Sequence, residues 1–179
     1  MSRPAVWGAL AGLVGLALGI GLFTLAAQVA RAPAAGAYGA PGVPPMTAED
    51  AAVANAPLVS ALLRGVYAAF GERGEAAVYD ALAQVADGPA LETLYLESMG
   101  TMAGGGLVET SQEVHDIRMV GSETRRDGEV LAVEAVWDVV GGVGHEDHVH
   151  VLGARYRGTL TIAPRDGDWK ITGFTLTEA

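Results

Sequence analysis

Three of the chain's four histidines fall within six positions, at His145, His148 and His150 of the run GHEDHVH. Neutral imidazoles are ligands for zinc, copper or nickel, and Glu146 or Asp147 can add a carboxylate oxygen. His148 and His150 are two apart, so on a strand they share a side, and His145 in the preceding turn can fold back towards them. The cluster lacks the helical HExxH scaffold, and a solvated hairpin rim is the plainer reading of it. If it holds a metal, the expected ligands are His145, His148 and His150 and the expected ion is zinc or copper; no other cofactor is expected.

A second chemistry would place the same imidazoles in a pocket. There, Tyr156 and an inward histidine, with His115 from an earlier strand, could serve as general acid and base. The plainer readings are a core aromatic for Tyr156 and a satisfied strand residue for His115. No serine nucleophile motif, phosphate loop or dinucleotide fingerprint is present, so no catalytic residue is assigned.

Which use is available depends on the strands that carry these residues. Alternating apolar residues predict four of them, EVHDIRMVGS, EVLAVEAVWDVV, HVHVLGARYRGTLTIA and DWKITGFTLTE, with hairpin turns at Asp127-Gly128 and Asp166-Gly167. Leu131, Val133, Ala135, Trp137 and Val139 share the core face of the second strand, leaving Glu134 and Asp138 outside. These two acids lie within reach of Arg155 and Arg157 on the next strand as cross-strand pairs. In the third strand Tyr156 and Leu160 have one parity while Val149 and Val151 have the other. A bulge near Gly153 would reconcile them and turn the histidines to solvent. The fourth strand switches parity in the same way across Gly173.

Helices precede the strands. Thr47 is placed to cap one, Pro57 predicts a kink or restart near Asn55, and the main helix continues to Phe70. A second helix is expected from Glu72 to about Val85, and a third after Asp87-Gly88-Pro89, stopped by Gly104-Gly105-Gly106. Residues 31–46 are mostly Ala, Gly and Pro and read as a flexible linker. Between Arg3 and Arg31 no residue is charged, which is enough apolar chain to cross a bilayer. Residues 1–30 are therefore expected to be an anchor, or a signal segment if the small residues after Arg31 are cleaved. The expected location is the inner membrane as a single-pass protein, contacting lipid through residues 5–30, with residues 47–179 as an extracytoplasmic (periplasmic) domain. Gly8 and Gly12, then Gly15 and Gly19, also have the spacing that lets membrane helices approach closely.

Composition narrows the partners. From Thr47 onward the chain carries nine basic and 21 acidic residues, a balance that repels phosphate backbones, so nucleic acid is not expected as a partner. There is no cysteine, which removes disulfides, thiolate metal sites and thiol nucleophiles.

Helices followed by a curved antiparallel sheet ending in DGDWKITGFTL resemble the NTF2-like (cystatin-like, SnoaL-type) α+β cone, over about Asn55 to Glu178. The stretch LLRGVYAAFGERGEAAVYDALA is similar to segments of membrane-anchored bacterial proteins. The resemblance implies an α+β fold of three helices packed on a curved four-stranded antiparallel sheet, and a homodimer formed through the outer sheet face. The functional expectation is a membrane-tethered binding or assembly domain without catalytic activity, taking a protein partner or small ligand. The alternatives are a periplasmic metal-binding protein using the histidine cluster, and a SnoaL-type small-molecule enzyme using Tyr156.

Overall fold

The computed structural model describes residues 35–103, 111–145 and 148–177, with side chains described over 35–100, 116–141 and 153–177. These belong to one compact unit, Pro33–Ala179. The expected anchor lies outside the described residues, among which no helix is long and apolar enough to cross a membrane.

Six strands form one sheet: β1 (Ala37–Ala40), β2 (Val43–Thr47), β3 (Ser111–Asp127), β4 (Val130–His145), β5 (His148–Arg165) and β6 (Asp168–Thr177). Their order is β2-β1-β6-β5-β4-β3, antiparallel throughout except where β1 runs parallel to β6. Four helices lie between β2 and β3 in the chain: α1 (Ala48–Val53), α2 (Asn55–Phe70), α3 (Glu75–Ala83) and α4 (Gly88–Ala103). The expected three helices on a four-stranded antiparallel sheet, the NTF2-like arrangement, is thus corrected to four helices on a six-stranded mixed sheet.

The extra strands come from the expected linker. Residues 37–47 form a hairpin because three of their groups reach far along the chain. The Tyr38 ring meets Trp169 edge-on at 5.3 Å. Its hydroxyl donates to Glu129 at 2.5 Å, and the Trp169 indole N–H donates to the Met46 carbonyl at 3.2 Å. Pro44 and Pro45 fall where the β1–β2 register shifts opposite Gly39, on an edge strand, which is where missing N–H groups are tolerated. Beyond the hairpin, the segment between α3 and α4 bonds to the β6 edge at Ile171. Asp87 N–H donates to Ile171 O and Ile171 N–H to Val85 O, each at 2.9 Å.

The helices begin where the caps dictate. Thr47 Oγ1 accepts from Asp50 N–H at 3.2 Å, closing α1, and Pro57 sits in the first turn of α2, where its missing N–H is no loss. The Asp166-Gly167 turn has φ of 53° and 89°, the twist that a two-residue hairpin requires. The core joins Leu58, Leu62, Val66, Val78, Leu82 and Leu94 of the helices to Leu131, Trp137, Leu160, Trp169 and Ile171 of the sheet.

Besides the register shift between Tyr38 and Ala40 in the β1–β2 pair, bulges curve the sheet at three places. His115 and Val120 are extra residues on β3, and Thr172 is extra on β6 beside the expected switch at Gly173. The bulge expected near Gly153 does not form: β4 and β5 pair without interruption from Leu131↔Ile162 to His145↔His148. Gly153 and Ala154 are exposed, so a shift there would gain no burial, whereas the switch on β6 keeps Trp169 and Ile171 fully buried.

Candidate interaction surface

Aromatic rings fill the side of the sheet that faces the helices. Trp137 is fully buried and stacks on Tyr156 at 5.9 Å, while Tyr67 of α2 lies 6.5 Å from the Tyr156 ring. Phe174 packs 6.5 Å from Trp137. The Trp137 indole N–H donates to the Tyr67 hydroxyl at 3.3 Å. Burial of that hydroxyl pushes its pKa up to about 12, against the smaller lowering effect of the Trp137 bond. Tyr156, the proposed acid or base, is therefore one ring of a packed aromatic cluster.

The register pairs His145 with His148 and Val143 with His150 at the far end of the β4–β5 hairpin. The side chains of these three, and of His115, lie outside the described residues, as do Glu146 and Asp147 altogether. Among the described residues no group of three His, Asp or Glu is placed to hold a metal ion.

Among the described residues no helix lies on the opposite side of the sheet. Alternation brings Asp116, Arg118, Glu123 and Arg125 of β3, Glu134 and Asp138 of β4, and Arg155 and Arg157 of β5 to this outer face. With Asp127, which shares this side at the end of β3, that is five acids and four arginines, a nearly neutral patch on a chain whose net charge is −10. Three pairs form within it. Arg155 grips Asp138 with two bonds, Nε to Oδ1 at 2.7 Å and Nη2 to Oδ2 at 2.9 Å, which holds the Asp138 carboxyl below the usual carboxylate range. Arg125 meets Glu134 at 3.0 Å, and Arg118 meets Asp116 at 3.4 Å.

Glu123 and Arg157 enter none of these ion pairs. Both line an open depression of about 490 Å³ centred on Val136, with Glu134 and Thr159 on its rim. Exposed pairs of this kind contribute little to stability, so their arrangement bears on what the face can meet.

No protein-family model matches the chain, and no curated protein matches it. Among solved structures, the intermembrane space region of the chloroplast protein ARC6 is similar over 69% of this chain and 97% of that one, at 19% identity and a TM-score of 0.48. A de novo designed β-sheet protein is similar over 73% of this chain and 90% of its own, at 11% identity and a TM-score of 0.34. Likenesses this loose carry neither fold nor function across.

Of the cross-strand pairs expected from sequence, Asp138 with Arg155 forms. Glu134 faces Thr159 in the register and turns to Arg125 on β3, leaving Arg157 without an ion pair among the described residues. The role of β3 was not legible because its alignment depends on the bulges at His115 and Val120; the first has no glycine or proline beside it, and Gly121 marks only the second. Val120 stands half exposed on that second bulge.

Proposed function

We propose that the chain is a membrane-tethered assembly domain that docks on a second copy of itself through the outer face of the sheet. The observation that carries this reading is the nearly neutral face with one acid and one arginine left over at the same depression. In a two-fold pairing each contact occurs twice, so Arg157 of one copy meets Glu123 of the other and the reverse. The filled aromatic interior supports a binding role, because surface relief is then what the domain offers a partner. The uncharged run of residues 4–30 supports the tether.

The test uses the full chain reconstituted in lipid vesicles. With no native cysteine, Val136→Cys supplies a single thiol at the expected two-fold axis. Mild oxidation is expected to give a disulfide-linked dimer, while Glu92→Cys on the exposed side of α4 stays monomeric. Arg157→Glu and Glu123→Arg should each suppress the link, and the two together should restore it. Equal linking at positions 136 and 92, or no recovery in the double variant, rules the sheet-face dimer out.

A further inference from the structure

A second surface has a different shape and charge. An open groove of about 770 Å³ runs along the exposed side of α2, walled on one side by the β1–β2 turn at Pro41 to Val43 and on the other by Met119 of β3. It exists because α2 touches strands at both ends of the curled sheet, β1 and β2 at one and β3 at the other, leaving the helix uncovered between them. Along its floor Pro57, Ser60, Arg64 and Ala68 succeed one another at helical spacing.

The chemistry of the lining is narrow. Arg64 is the one charged residue in it, it is exposed, and it makes no ion pair among the described residues. Every other lining side chain is apolar or absent except Ser60, a hydrogen-bonding group one turn before the arginine. A ligand that fits is apolar on one side and carries a single negative charge above Arg64. From Pro57 to Ala68 the helix rises about 16 Å, the length of about five residues of extended chain.

We infer that the groove binds an extended peptide segment of a partner protein, with alternating apolar residues turned inward and one Asp or Glu over Arg64. Alternation selects a peptide over an acyl chain. The groove is open to solvent along its length, and a strand presents one apolar and one polar side, whereas an acyl chain would leave half its surface in water. The small side chains of the floor let the backbone of such a segment lie close to α2. This site is separate from the outer sheet face, so either can hold without the other.

The experiment uses fluorescein-labelled, acetylated and amidated pentapeptides, Leu-Ser-Val-Ser-Glu and its reverse, titrated against the full chain in detergent and read by anisotropy. The Glu peptide in one of the two directions is expected to bind about fivefold more tightly than the same peptide with Gln, and more tightly still than the one with Lys. Arg64→Glu should invert the Glu and Lys order. Ala68→Trp should fill the groove and abolish binding of all three, with the circular dichroism spectrum unchanged. Binding that ignores the peptide charge, or that survives both variants, overturns the site. Displacement of the peptide by equimolar palmitate would assign the groove to lipid instead and overturn the peptide reading.

Discussion

Trp137 of β4 donates its indole N–H to the hydroxyl of Tyr67 on α2, 3.3 Å away, and this bond joins the sheet to one of the two sixteen-residue helices packed on it. Trp137 is fully buried, so Tyr67 is what satisfies its only polar group.

Replacing Tyr67 by Phe keeps the ring and removes the acceptor. The orphaned indole N–H should cost about 1–3 kcal/mol of unfolding free energy, measured by urea titration followed through tryptophan fluorescence. The hydroxyl also links stability to alkaline pH. Its folded pKa, pushed up to about 12, lies above the ordinary 10.0, so its contribution is complete below pH 10 and falls away as pH rises from 10 towards 12. Ultraviolet difference titration should show late ionisation from Tyr67 as well as from Tyr38, which its bond to Glu129 also raises, and Tyr67→Phe should remove the Tyr67 share.

Gly158 is where the same tryptophan leaves no room for a side chain. An added Cβ would sit 2.7 Å from the Thr175 carbonyl oxygen and 3.2 Å from the Trp137 ring. Gly158→Ala should therefore destabilise by about 1–3 kcal/mol through overpacking, visible as a lowered urea midpoint. Gly153→Ala, whose added methyl meets nothing within 4 Å, should leave the midpoint nearly unchanged.

The Asp138 carboxyl, held low by the two bonds from Arg155, should titrate below its ordinary 3.8 in an NMR pH series. Because the folded pKa is depressed, the pair's contribution is present above the unfolded value and is lost as pH falls below about 4. Arg155→Ala should return Asp138 to the ordinary range. An unchanged titration in that variant would show that the guanidinium is not the cause.

Much of this architecture was legible from local patterns. The Thr47 cap, the restart at Asn55, the end of α2 at Phe70, both glycine turns and the four long strands follow from spacings within a few residues of each other. The hairpin of β1 and β2 was not legible, because its Ala, Gly and Pro residues have no period of their own. Tyr38 and Met46 acquire their role only from Trp169, more than 120 residues away. The histidine cluster shows the opposite failure. Alternating apolar residues around it suggested a bulge that the continuous pairing of β4 with β5 does not contain, since no core lies beneath Gly153 to demand one.

By itself the sequence determined the helical region, the four long strands and which face of β4 turns inward, because periodicity and capping act over one or two turns of chain. Tertiary structure alone decided the sheet order, the pairing of Glu134 with Arg125 and that Arg157 enters no ion pair among the described residues. Those depend on the register between strands, which bulges reset by one residue at a time and thereby exchange every partner beyond them.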